Sequence, residues 1–184
     1  MLPVFKPAAV IAASSLPAVQ IDQTDNAITV SGEGFAVVFD RQAGILKSYK
    51  KGDTEFLQSG PVPNFWRAPI DNDFGNGLHK RSRVWRKAGE NRRVKSVSVA
   101  QTNAQTAKVT LLFDLVDEAG EPVATYSSVY SVFGSGDVQV DNHFKMVKND
   151  LPEIVRMGMN LVMPRRFDQM TWLGRGPQES YQDR

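Results

Sequence analysis

The chain contains no cysteine, which excludes disulfide frameworks, thiolate metal sites and cysteine nucleophiles together. Histidine is almost as scarce: His79 and His143 stand far apart, without the paired spacing of a zinc site. No apolar run approaches the roughly 18 residues of a membrane-spanning helix. The alanine-rich stretch at residues 8–13 is short, follows Pro3 and Pro7, and does not read as a signal peptide. Large excess charge is missing too. A formal net charge of +2 does not imply nucleic acid, and the one basic run, from Arg81 to Lys95, carries no nucleic-acid fold signature. That run reads as a solvated or carboxylate-paired segment. Also absent are a G-x-S-x-G elbow and a dinucleotide fingerprint, of which Gly32-Glu33-Gly34 and Gly174-Arg175-Gly176 are only pieces. Neither nucleic acid nor membrane is expected as a partner, and the compartment stays open between cytoplasm and periplasm.

What is present is the material of one folded domain. A chain of 184 residues buries roughly 70% of its unfolded surface, enough for a single core. Hydrophobic residues at 41% and charged residues at 23% match globular averages and set disorder aside. Residues 1–20, with Pro3, Pro7 and Pro17, show no sustained period and read as a linker or the end of a preceding domain. From Ala27 onward, short β-rich runs alternate with Gly, Asp and Asn turns. Strands are expected at Ala27–Val30, Phe35–Asp40, from Ile45, at Lys108–Val116, Val123–Phe133, Val138–Val147, Val155–Met163 and Met170–Leu173. Around residue 97, Val94, Ser96, Ser98 and Ala100 should share one face, with Lys95, Val97 and Val99 on the other. Gly134-Ser135-Gly136-Asp137 should close a hairpin. Only Leu78–Ala88 offers a helical candidate, and it is too polar to bury a convincing stripe. The fold class expected is all-β, an antiparallel sandwich.

Two polar clusters are candidates for chemistry. The first runs from Asn64 to Gly77 and includes Asp71, Asn72 and Asp73. It fails as a calcium loop, because Asn76 and Ser82 stand where a Gly and a Glu are needed. A tight turn is the simpler reading, with Asp and Asn bonding their own backbone, Gly75 and Gly77 free to take positive φ, and Pro69 fixing the approach. The second cluster, Trp172 to Arg184, sets Gln178, Glu179, Tyr181, Asp183 and Arg184 in a Gly-Pro loop. It could meet sugar hydroxyls or tie a loop to the sandwich. His143, in an alternating strand, reads as a half-buried structural residue; His79 follows the glycine loop and is the better candidate for a solvent-facing contact.

The run Phe65-Trp66-Arg67-Ala68-Pro69-Ile70-Asp71-Asn72-Asp73-Phe74-Gly75 resembles the F-W-R-A-P-x-D-N-D-x-G signature of the C-terminal, small-chain domain of family 2 β-galactosidases. The run Trp172-Leu173-Gly174-Arg175-Gly176-Pro177-Gln178-Glu179-Ser180-Tyr181-Gln182-Asp183-Arg184 resembles that domain's second signature, W-x-G-x-G-P-x-E-x-Y-x-D-R, about a hundred residues later. Ser180 stands where Asn is common and Gln182 where Pro is common. The stretch from Asn26 to Gly44 is also similar to the opening of that domain.

The resemblance implies a supersandwich shared with galactose mutarotases. It makes residues 1–20 the exit from an immunoglobulin-like domain and residues 21–184 the N-terminal two-thirds of the small-chain domain. A retaining glycosidase needs two carboxyl groups about 5 to 5.5 Å apart, and the resemblance puts both catalytic Glu residues in a TIM barrel outside this chain. The expectation is therefore a non-catalytic piece of an enzyme hydrolysing terminal β-D-galactosides, inactive alone. Its partners would be that barrel, in the same polypeptide, and the galactoside.

By the same resemblance, the substrate-site loop comprises Asp71, Asn72, Asp73, Gly75, Asn76, Gly77 and His79. Its mobile part, residues 75–79, would border the active-site mouth. Trp66, Arg67, Pro69, Trp172, Gly174, Gly176, Pro177, Glu179, Tyr181, Asp183 and Arg184 are family-motif residues that hold or line the site. No catalytic residue, metal ligand or cofactor is expected here, while Mg and Na are allowed in the parent enzyme. An exposed strand edge is expected to favour self-association. Two other readings stand beside this one: an autonomous carbohydrate-binding module stacking sugar on Trp66, Trp85 or Trp172, and a mutarotase-like enzyme using His79 or His143.

Overall fold

A computed structural model describes residues 13–171. Among the described residues, eleven strands form three antiparallel sheets. The first sheet takes its strands in chain order: β1 (Gln20–Gln23), β2 (Ala27–Gly32), β3 (Phe35–Asp40), β4 (Ile45–Lys51) and β5 (Thr54–Glu55). The second has the order β10-β9-β8-β7, from β7 (Arg93–Asn103), β8 (Thr106–Val116), β9 (Pro122–Phe133) and β10 (Val138–Met146). A two-stranded ribbon pairs β6 (Ser59–Asn64) with β11 (Gly158–Val162). Pro61 and Pro63 cannot donate ladder bonds, which suits a strand in a two-stranded ribbon. The all-β antiparallel sandwich expected from the strand grammar is what the chain forms.

The two larger sheets face each other because their strands alternate. Phe35, Val37 and Phe39 on β3 turn inward, as do Val109, Leu111, Phe113 and Leu115 on β8, all nearly sealed from solvent. Phe39 meets Tyr130 of β9 edge-on, with ring centroids 5.2 Å apart. Two polar bonds tie the sheets at their margins. Tyr49 Oη donates to the Gly136 carbonyl at 2.5 Å, and Arg41 Nη1 donates to the Val97 carbonyl at 3.0 Å. The expected linker is partly docked: Val19 is buried and its N–H donates to the Ala104 carbonyl.

A second aromatic knot anchors the chain between β6 and β7. Phe65 packs against Trp85, Tyr126 and Phe144, with centroids 6.2, 5.8 and 5.5 Å away. Trp85 is fully buried and its indole N–H donates to the Pro152 carbonyl at 2.9 Å, satisfying the one polar atom it carries. Phe65 thus fixes the start of the first polar cluster, and Trp85 fixes its far side.

Several local expectations change. In β7 the alternation breaks, because Val94 pairs with Phe113 while Ser96 pairs with Leu112, leaving Lys95 as a bulge. The extra residue shifts phase and brings Val94 onto the inner face with Val97 and Val99, against the buried core. The expected strand Val155–Met163 shortens to β11. Leu78–Ala88 is not one helix but a helical turn, α2 (Leu78–Arg81), followed by a 3-10 turn at Arg83–Trp85. Met170 and Thr171 are not in a strand, and Trp172 and Leu173 lie outside the described residues.

Candidate functional site

The Asp71 cluster is not the irregular turn expected from its composition. Asp71–Gly75 form a helical turn, α1, which Gly77 separates from α2. The reason lies in Asp73, whose carboxylate accepts the Ile70 N–H at 2.9 Å and so satisfies a donor at the helix start. Acidic residues in this first turn also suit the helix dipole. Arg67 grips the same carboxylate with both terminal nitrogens, at 2.5 and 3.1 Å, while Nη1 also donates to the Ala68 carbonyl. Such a fork is geometrically specific as well as strong. Asp73 is the one buried charged residue among the described residues. The Arg67 guanidinium, then the Ile70 N–H, hold its carboxyl below the ordinary carboxylate value.

This clamp leaves the rest of the rim outward. Ile70 and Phe74 are 55% and 56% exposed, and Asp71 and Asn72 are exposed as well. Phe74 lies over the His79 ring, with centroids 4.7 Å apart, and His79 Nδ1 is 3.4 Å from the Asp73 carbonyl. Gly75 does not use positive φ, contrary to expectation; Gly77 does, at φ 75°. An alanine at Gly75 would meet open space, whereas any side chain at Gly77 strains the backbone. Asn76 finishes the connection by accepting the Leu78 N–H at 2.9 Å.

Arg81 then locks the far end of the rim to the segment before β11. It donates to Glu153 at 2.8 and 2.5 Å and to the Asn76 carbonyl at 2.6 Å. The Arg81 guanidinium in turn holds Glu153 below the ordinary carboxylate value. Arg83 pairs with Glu118 and Lys95 with Asp114. Arg92 donates to the Gly89 and Ala43 carbonyls and stands over the Phe113 ring. Much of the basic run is therefore paired, as expected.

The structure places the other predicted residues as follows. Trp66 is half-buried and its backbone N–H donates to Asn64 Oδ1 at 2.9 Å; Pro69 is half-buried before α1. Trp85 cannot stack on sugar, because the aromatic knot covers it completely. His143 is exposed on β10 opposite Ser127, not half-buried. Trp172, Gly174, Gly176, Pro177, Glu179, Tyr181, Asp183 and Arg184 lie outside the described residues. Among the described residues no three His, Cys, Asp or Glu side chains are grouped to hold a metal ion.

A cleft of about 220 Å³ beside the motif was not anticipated. Ser59, Asn64, Arg86, Glu90 and Asn160 give it a polar lining over Phe65. Its floor is close because Gly89 packs on the ribbon: a Cβ there would lie 1.8 Å from the Pro63 carbonyl oxygen. Arg86 and Glu90 are visible in sequence as a pair four apart, but no local pattern marks Asn160.

An antiparallel sandwich carrying a clamped pair of helical turns defines an all-β domain. The family described as beta galactosidase small chain matches residues 31–184. Beta-galactosidase from Priestia megaterium is 38% identical over 169 residues, covering 91% of this chain and 16% of that protein. Beta-galactosidase from Clostridium acetobutylicum is 31% identical over 157 residues, 85% of this chain and 17% of that protein. Beta-galactosidase from Halalkalibacterium halodurans is 28% identical over 170 residues, 91% of this chain and 16% of that protein. The chain belongs to the beta-galactosidase small-chain family, and it spans about one-sixth of the length of these relatives.

Proposed function

We propose that the chain is a non-catalytic part of a retaining β-galactosidase that braces a catalytic TIM barrel in the same polypeptide. Its α1–α2 rim borders the mouth of the galactoside site. The carrying observation is the Arg67–Asp73 clamp: the base of the rim is fixed while Asp71, Asn72 and Phe74 face out. Gly77 supplies the one left-handed joint between the two helical turns, where a small rotation reorients α1 against α2. Asp73 and Glu153 are held ionised by arginines, so neither is disposed to donate a proton as a glycosidase acid must. The relatives' names and the fraction of their length that this chain covers support its place in a larger enzyme.

In the full-length enzyme, Gly77→Ala is expected to change KM and kcat together for a chromogenic β-galactoside, with Gly75→Ala nearer the parent. Parent-like kinetics for Gly77→Ala would remove the gating role. The isolated chain is expected to release no galactose from the same substrate, and turnover at enzymatic speed would end the non-catalytic assignment. Self-association through a free strand edge is the further part of this reading.

A further inference from the structure

The joint between α1 and α2 is the step Asn76-Gly77, and no other asparagine of the sequence is followed by glycine. We propose that Asn76 is a covalent modification site, at which the folded chain deamidates through a succinimide without an enzyme. The Gly77 backbone nitrogen gives its proton to solvent and bonds to Asn76 Cγ. The Cγ–Nδ2 bond then breaks, and Nδ2 takes up a proton and leaves as ammonia. Water opens the five-membered ring at either carbonyl. Attack at Cγ gives aspartate, attack at the backbone carbon gives isoaspartate, and in both the Gly77 nitrogen recovers its proton.

The nucleophile, the carbonyl and the leaving group are each placed for this. The Gly77 N–H is held only by the Phe74 carbonyl, at 3.3 Å, longer than the usual separation of roughly 2.9–3.0 Å. A Cβ at Gly77 would meet nothing within 4 Å, so the ring has room to form. Asn76 has ψ of 0°, and a rotation there carries the Gly77 nitrogen toward Cγ; glycine accepts the accompanying change in its own φ at little steric cost. On the carbonyl side, Asn76 Oδ1 accepts the Leu78 N–H at 2.9 Å and Arg81 Nη1 at 3.2 Å. Two donors, one of them charged, draw electron density from Cγ and stabilise the oxyanion of the attack. The side-chain bonds of Asn76 thus run through Oδ1, not through the nitrogen that must leave.

Two other asparagines provide built-in comparisons. Asn103 Oδ1 accepts the Gln105 N–H at 2.9 Å and Asn64 Oδ1 accepts the Trp66 N–H at 2.9 Å, the same bond to the residue two places on. Asn103 is exposed, as Asn76 is, but Ala104 follows it; Asn64 is half-buried and precedes the buried Phe65. Exposure and the local side-chain bond are therefore shared, whereas the unhindered glycine nitrogen and the arginine on the carbonyl belong to Asn76.

The two products differ in what they do to the joint. Aspartate keeps an oxygen for the Leu78 N–H and adds a negative charge beside Arg81, which already holds Glu153. Isoaspartate lengthens the main chain by one methylene between α1 and α2. The reaction involves only residues of this joint, so it stands apart from the role proposed for the rim: peptide masses read the chemistry, and kinetics read the role.

The test is peptide mapping by mass spectrometry after incubating the folded 184-residue chain at mildly alkaline pH in water enriched in oxygen-18. The peptide carrying Asn76 is expected to gain about three daltons, one from exchanging NH for O and two from the label, and to split into two chromatographic species. Its rate should rise with pH, because the attacking nitrogen must lose a proton, and should exceed that of the peptides carrying Asn26 and Asn103, each followed by alanine. Gly77→Ala should slow the gain at Asn76. An Asn76 that stays intact in the folded chain while reacting in the urea-unfolded chain overturns the proposal, since the fold would then protect the joint. Gain at Asn103 as fast as at Asn76 overturns it as well.

Discussion

The sandwich core and the α1–α2 rim are held by different physics. Between the larger sheets, Ile28, Val30, Val37, Phe39, Val109 and Leu115 are fully buried, and stability comes from apolar area removed from water. On the rim, Ile70 and Phe74 stand exposed, and order comes from one buried carboxylate, one arginine fork and a few backbone bonds. Tight packing tolerates no rearrangement. A segment held by few, polar and directional contacts is drawn from the low-stability end of the fold, which is where moving binding elements belong.

The contrast is broken most severely at the joint between the two regions. Trp85→Ala empties the aromatic knot and leaves the Pro152 carbonyl without its indole donor, so a loss of roughly 3–5 kcal/mol is expected in denaturant unfolding. Next in size is Gly89→Ala, whose Cβ would overlap the Pro63 carbonyl; a cost of about 1–3 kcal/mol is expected, with disturbance of the adjacent cleft. Parent-like unfolding of either variant would mean that the rim is not seated through this knot.

Acid sharpens the comparison with less total loss. Because the folded Asp73 carboxyl sits below its ordinary value of 3.8, its contribution is complete above that pH and disappears as pH falls through the lower folded value. Amide exchange at Phe74 and Asn76, which close the α1 turn, should therefore accelerate in that window while β8 and β9 stay protected. Simultaneous opening of rim and core would deny the rim its separate stability.

The sandwich was legible in sequence because strand alternation and Gly-Asp-Asn turns are local signals. Phe35–Asp40, for instance, falls where its β-rich run puts it, and the strand expected at Ala27–Val30 runs on to Gly32. The bulge at Lys95 was not legible, since it depends on which residue of β8 each side chain meets. The same limit applies to the candidate site. Asp71, Asn72 and Asp73 stood out as a polar cluster, but its composition fits a turn as well as a helix start. The choice was made by Arg67 and Asp73, whose bond depends on the chain path through Pro69. Trp85 stood out as an aromatic in a basic run, and only the packing of Phe65 and Phe144 around it shows that it serves the core. His143 looked half-buried because its strand alternates, yet it lies on the solvent face of an outer strand.

The Arg67–Asp73 clamp holds the rim in place. Its most direct test is the steady-state kinetics of Asp73→Asn in the full-length β-galactosidase, with the unfolding midpoint measured alongside. A raised KM with a nearly unchanged midpoint is predicted, because the arginine fork is weakened while the core is untouched. A KM and kcat equal to the parent's, in a variant shown by exchange to have lost α1 protection, would contradict it.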